Sequence, residues 1–353
     1  MAAEHLSVDL DQSIRMLSVV VCPDKFRGSL SAAAAAAAMA RGLRAAGLTA
    51  ITEVPIADGG EGTLDVLLAV SGGSRRSVEV TGPLGDLVLA DYGVLPDGTA
   101  VIEMAQASGL ARCTNRDALR ASTRGTGELI AAASRAGARR IVVGVGGSAT
   151  TDGGLAAVQT LAWSLAGLDV SVACDVQTYF LDAAREFGPQ KGATAAQVEL
   201  LSRRLSTVAQ EYFHRTGIDV TVLPRAGAAG GLAGGLAAIG ARLESGFSVV
   251  ANATGLDEIM ASADLVITGE GSADNSTFSG KAVGEVLSLA RERKVANRVV
   301  IAGQISPSAR QTLGDDGVQA IALVDLAREK QDSFRDAVGL IEAAAESIGR
   351  ALN

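Results

Sequence analysis

Five short segments gather the residues best able to do chemistry: Pro23-Asp24-Lys25-Phe26-Arg27-Gly28-Ser29, Ala57-Asp58-Gly59-Gly60-Glu61-Gly62-Thr63, Gly144 to Gly154, Phe187-Gly188-Pro189-Gln190-Lys191-Gly192 and Thr268-Gly269-Glu270-Gly271-Ser272-Ala273-Asp274. Several set an Asp or Glu among glycines. A glycine lets the backbone come close to a ligand, and a carboxylate beside it can hold Mg²⁺ or accept a hydroxyl proton. That combination suits phosphoryl transfer, where positioning and charge do most of the work. Taken singly, each cluster also reads as a tight turn with an Asp cap. With only His5 and His214 in the chain, chemistry that depends on histidine is not expected.

The elements that must position these segments follow an α/β pattern. Short β-branched runs alternate with Ala/Leu-rich stretches, which implies largely parallel sheets flanked by helices. Strands are predicted at 17–22, 53–56, 77–80, 88–95, 100–104, 140–145, 170–173, 219–223, 265–268, 298–302 and 320–324. Helices are predicted at 32–46, capped by Ser29 or Ser31, and at 127–136, 154–165, 195–215, 228–239, 283–294 and 333–351. The glycine clusters then fall where strands hand over to helices, the place where open α/β sheets bind ligands.

Composition narrows the function classes. The chain has 353 residues, 48% of them hydrophobic and 3% aromatic, with a formal net charge of −8. Such a chain buries a core in about two domains and is not disordered. The acidic balance and scarce aromatics argue against a nucleic-acid partner, so a small-molecule substrate is expected. Cys22, Cys113 and Cys174 form no close pair and read as reduced thiols of a cytoplasmic protein. Residues 1–15 read as a flexible tail, with Met16 an alternative start, and no stretch suits a membrane helix. Nothing in the composition reports an oligomeric state.

No G-x-x-x-x-G-K-[ST] segment is present, so a P-loop is excluded, and the protein-kinase signatures are missing. Gly144-Val145-Gly146-Gly147 could open a dinucleotide fingerprint, but Ala149 replaces its third glycine, which weakens an oxidoreductase reading. In order along the chain, the motifs resemble those of the bacterial ATP-dependent glycerate kinase family, the type that forms 2-phosphoglycerate. The likeness rests on the five clusters and on Gly82-Pro83-Leu84-Gly85, Ile102-Glu103-Met104-Ala105, Gly125-Thr126-Gly127-Glu128, Ala173-Cys174-Asp175-Val176, Gly227-Ala228-Ala229-Gly230-Gly231 and Gly280-Lys281. It runs from about Leu17 to about Val324.

The resemblance implies two α/β domains facing each other across a cleft, one from residues 16–77 plus 256–353 and an inserted one from 78–255. It also implies ATP and Mg²⁺ as cofactors and glycerate, or a related small hydroxy acid, as substrate. The amides of Gly146 and Gly147, with Ser148 and Thr150, would cradle nucleotide phosphates before the helix after Gly154, with Gly269 and Glu270 also on the nucleotide. Asp58, Asp152 and Asp175 would hold Mg²⁺. Asp274 would accept the hydroxyl proton, and Lys25, Arg27 and Lys281 would hold the substrate carboxylate or the transferring phosphoryl. Departures occur at Lys25 and Arg27, at Gln177-Thr178-Tyr179-Phe180 and at Ser272 to Ser276. They keep open an alternative in which a divergent or non-catalytic paralogue serves as a ligand-binding module.

Overall fold

The computed structural model describes residues 17–278, 280–327 and 332–352. The expected tail at 1–15, with His5, lies outside the described residues. Among the described residues eleven strands form in order: β1 Val19–Val21, β2 Ile51–Glu53, β3 Ser74–Thr81, β4 Leu87–Val94, β5 Ala100–Glu103, β6 Arg140–Gly144, β7 Asp169–Cys174, β8 Arg242–Ser245, β9 Leu265–Ala273, β10 Asn297–Ile305 and β11 Gln319–Ala322. They make two sheets. One runs β11-β10-β9-β1-β2 and is parallel throughout. The other runs β3-β4-β5-β6-β7-β8, antiparallel up to β5 and parallel from there. The two ends of the chain therefore share the first sheet, and its middle forms the second. The whole of β3 lies in the second sheet, although the border implied by the family would fall inside it.

Strands buried on both faces need helices on both sides, and the alternation of side chains in β1 shows this directly. Val19 and Val21 join the cluster made by helices Ala32–Ala45 and Ala337–Leu352, whereas Val20 joins Phe247, Val286 and Ala290 on the opposite face. Ser31 caps the first of these helices through a hydrogen bond from the Ala34 N–H. The second sheet is covered on one side by helices Arg124–Arg135 and Leu232–Ala238. On its other side Val101 packs with Leu64, Leu67 and Val250, so helices Thr63–Ser71 and Gly246–Thr254 fill the space between the two sheets.

Two expectations fail locally, and one strand goes unforeseen. Residues 219–223 do not pair; Val220–Val222 forms a single 3₁₀ turn capped by Asp219, because only Val220 is buried. The helix expected over 154–165 stops at Thr160, since Ala162 and Trp163 both take positive φ. Strand β8, one of whose four residues is exposed, has too little apolar character to be read from sequence.

Candidate active site

The parallel strands of both sheets point their carboxyl ends at one another, which brings the loops that follow them together. Three hollows of about 500, 660 and 410 Å³ are all lined by Lys25 and Arg27. The second is also lined by Asp58, Gly146, Gly147 and Asp175, the third by Asp58, Asp175, Glu270, Asp274 and Lys281. Segments that are far apart in the chain thus meet around a single cleft.

The meeting is so close that only glycine fits at several points. A Cβ on Gly146 would lie 2.5 Å from the Cα of Gly60, and one on Gly246 would lie 1.9 Å from the Asp58 carbonyl oxygen. Part of the glycine content therefore serves backbone-to-backbone packing between the loop after β2 and the ends of β6 and β8. Glu103, the last residue of β5, fixes the same loop: its Oε1 accepts the N–H groups of Gly62 and Leu64 at 2.8 and 2.9 Å. It acts on the exposed amides at the start of helix Thr63–Ser71, as a side-chain cap does.

Charges alternate across the cleft. Lys25 Nζ donates to the Glu61 carbonyl at 2.7 Å and lies 3.9 Å from Asp58 Oδ1. Burial pushes the Asp24 carboxyl up to about 6, with Asp58 adding to the rise and Lys25 opposing it. Asp175 is likewise pushed up to about 6, by burial first and then by Asp58. Burial lifts Glu270 to about 7, although its Oε1 accepts the Thr277 hydroxyl at 2.7 Å. Asp274 behaves in the opposite way. Its Oδ1 accepts both the O–H and the N–H of Ser276, and these bonds hold the carboxyl below the usual range. Lys281 Nζ donates to Ser276 Oγ at 2.6 Å.

Several expected site residues stand elsewhere. Asp152 lines none of the three hollows; its Oδ2 accepts the N–H and O–H of Thr123 at 2.9 and 2.8 Å, and its Oδ1 accepts the Gly154 N–H at 3.1 Å. Thr150 is fully buried, with its hydroxyl turned to the Ala229 carbonyl at 3.4 Å and its own carbonyl accepting Lys191 Nζ at 2.5 Å. The start of helix Leu155–Thr160 is packed against Leu232 and Phe180 rather than against the cleft. Ser148 is bridged to Gly109 beside the second hollow, and Gly269 is interior, where a Cβ would sit 2.0 Å from the Ile301 carbonyl oxygen. Gly146 and Gly147 are the part of that cluster that reaches the cleft.

Other cleft residues were not singled out from sequence. Asp24, beside Lys25 in the first glycine-containing segment, lines the first and third hollows; Arg112 and Arg116 lie on a polar stretch with no motif of its own, and only the fold brings them to the second hollow. They raise the number of cations there to four, counting Lys25 and Arg27. The altered segment at 177–180 avoids the cleft: Phe180 is buried with Val158 and Tyr212, and the backbone of Thr178 binds Gly227. Of the departures at 272–276, Ser272 lines the third hollow together with the retained Asp274, and Gln304 Nε2 donates to Ser272 Oγ at 3.1 Å.

The chain is similar to known proteins over nearly its whole length. The family model described as "Glycerate kinase family" matches residues 19–166 and 160–353. A glycerate 2-kinase of Escherichia coli K12 is 37% identical over 95% of this chain and 98% of its own length. A glycerate kinase of Bacillus subtilis 168 is 38% identical with the same two coverages. A solved structure from Salmonella typhimurium LT2, described as a glycerate kinase 2, superposes with a TM-score of 0.80 at 34% identity and covers 95% of this chain and 98% of that one. With matches over nearly its whole length, the chain belongs to the glycerate kinase family and is a kinase.

Proposed function

We propose that this kinase transfers the γ-phosphoryl of ATP, bound with Mg²⁺, to the 2-hydroxyl of glycerate, giving 2-phosphoglycerate and ADP. The observation that carries the reading is the convergence of Lys25, Arg27, Asp58, Gly146, Gly147 and Asp175 on one hollow. Four cations there suit a triphosphate and a carboxylate, which together bring several negative charges. The relatives named above support the choice of glycerate, and the E. coli name supports the 2-position.

The donor set fits Mg²⁺ in one specific way. No group of three or more His, Cys, Asp or Glu able to hold a metal exists among the described residues. Mg²⁺ does not need one, because it keeps waters and takes one or two carboxylates together with substrate phosphates. Asp58 and Asp175 line the same hollows and repel each other's charge, which a cation between them would relieve. Bound there, Mg²⁺ would neutralise charge developing on the phosphates. The chain's own groups then divide the remaining work: Lys25, Arg27 and Lys281 hold anionic oxygens, and Gly146 and Gly147 line the hollow without side chains to block approach.

The two sheets form the cores of two domains in this reading, and closing the cleft between them would exclude water. No helix among the described residues is long and apolar enough to cross a membrane, and the three cysteines are free, which fits a cytoplasmic enzyme. None of residues 177–180 lines the three hollows, and Phe180 is buried in a core cluster, which favours catalysis over a non-catalytic paralogue. The test is a coupled ADP-release assay with glycerate, with and without chelator, followed by NMR of the product. Chelator-sensitive ADP release with phosphate on the 2-hydroxyl is expected; no turnover on glycerate, or phosphate on the 3-hydroxyl, would refute the proposal.

A further inference from the structure

Phosphoryl transfer to a hydroxyl needs a group to take the hydroxyl proton, and two carboxylates at the end of β9 lie in the third hollow, Glu270 and Asp274. Their hydrogen bonds separate them. The Asp274 carboxylate is spent on the turn that follows it, accepting the N–H and O–H of Ser276 at the start of the 3₁₀ turn Asn275–Phe278. It is exposed and serves as a turn cap.

Glu270 is held differently. The Thr277 hydroxyl, which is fully buried, accepts the Asp274 N–H at 3.0 Å. With that role taken, its own hydrogen points at Glu270 Oε1, 2.7 Å away. The hydroxyl therefore donates to the carboxylate, which fixes its orientation and favours its charged form. No other described group donates to Glu270 through a hydrogen bond. Lys281 lines the same hollow, and its charge acts on Glu270 against the burial that favours the neutral acid.

We propose that Glu270, oriented by Thr277, is the acceptor of the substrate hydroxyl proton, and that Asp274 is not. The assignment rests on the kinase reading given above. In the step, the substrate hydroxyl oxygen forms the new bond to the γ-phosphorus while the bond from that phosphorus to the bridging oxygen breaks. The electron pair of the broken bond leaves on ADP, and the hydroxyl proton passes to the Glu270 carboxylate, which later releases it to solvent. Thr277 is a positioning residue, since it acts through Glu270. Burial brings Glu270 up to about 7, near the pH at which a general base works best, whereas Asp274 is held too acidic to be a strong one.

The test is the pH profile of kcat/KM for glycerate in the intact enzyme, measured for wild type, Glu270→Gln, Asp274→Asn and Thr277→Val, with the unfolding midpoint of each. The charged groups around Glu270 are Lys281, Asp24 and Asp274, with Lys25, Arg27, Asp58 and Asp175 across the same hollow. Wild type should lose activity on the acid side as Glu270 is protonated. Glu270→Gln should lose about a hundredfold or more in kcat, the usual scale for a general base, with little change in KM for ATP and no acid limb traceable to residue 270. Thr277→Val should move the limb to higher pH by removing the bond that favours the carboxylate. Asp274→Asn should keep the limb. The assignment is overturned if folded Glu270→Gln keeps kcat within about tenfold of wild type, or if the limb vanishes in Asp274→Asn instead. A wild-type enzyme that forms no ADP with glycerate overturns the kinase reading as well; an active wild type with an active Glu270→Gln overturns this assignment alone.

Discussion

Gly146 and Gly60 meet backbone to backbone: a Cβ on Gly146 would lie 2.5 Å from the Gly60 Cα, so the two loops that line the cleft are also the joint between the two sheets. Gly146→Ala should therefore cost about 1–3 kcal/mol of stability, as overpacking does, and impair turnover by pushing the loops apart. Gly147 is different. Its φ is +71° and the nearest side-chain atom, Ala105 Cβ, is 3.5 Å from where a Cβ would stand, so Gly147→Ala should cost only about 1 kcal/mol of backbone strain. Denaturant unfolding of the pair decides the matter; equal losses would mean that contact between the loops is not what selects glycine at 146.

Asp152 and Asp175 should separate structure from catalysis. Asp152→Asn replaces an acceptor of three hydrogen bonds with a group that accepts on one side only, and should lower stability by about 1–3 kcal/mol while KM for ATP stays put. Asp175→Asn should instead raise the Mg²⁺ concentration for half-maximal activity about tenfold or more with little change in unfolding. A Mg²⁺ titration of both variants gives the answer, and a shift in Asp152→Asn alone would return that residue to the metal.

Lys25 is half-buried and tied to the loop after β2, whereas Arg27 is exposed and makes no salt bridge among the described residues. Lys25→Ala should cut kcat/KM for glycerate about tenfold or more, as expected for losing a charge-assisted hydrogen bond of about 1.5–3 kcal/mol. Arg27→Ala should raise KM for ATP with no effect on stability. Steady-state kinetics unchanged in both variants would remove this loop from the site.

Lys191 is 1% exposed, with Nζ donating to the Thr150 carbonyl, and burial lowers its pKa from 10.5 to about 7 against the opposing charge of Asp152. The unfolded chain then binds more protons than the folded one between these two values, so this residue's contribution to stability should rise with pH from about 7 to about 10.5. Lys191→Met should lack that rise. Denaturant unfolding of wild type and variant at pH 7 and pH 9.5 reads the difference, and a gap between them that does not move with pH would show that the buried amine does not titrate.

The strand pattern could be read along the chain where it is local: β1, β6, β9 and β10 each hold an apolar run closed by Pro23, Gly144, Gly269 or Gly303, as burial on both faces requires, whereas β2 (Ile-Thr-Glu) and β8 (Arg-Leu-Glu-Ser) hold none. The helix expected at 195–215, observed as Ala195–Thr216, was legible for the same reason, and of the two caps offered, Ser29 and Ser31, it is Ser31 that caps. Motif order alone was enough to suggest the family. What one-dimensional reading could not supply was which glycines and carboxylates face the ligand. Gly146 and Gly269, Asp175 and Asp152, Glu270 and Asp274 are equivalent in type and setting on paper, and differ only in what the other strands bring against them. Asp152 meets the Thr123 hydroxyl from 29 residues away, and Gly269 meets the backbone of Ile301 in the next strand. Lines of apolar residues specify elements because burial is repeated along an element; a site is a single meeting of loop ends, and its chemistry is decided by the long-range contacts that form only when both sheets are in place.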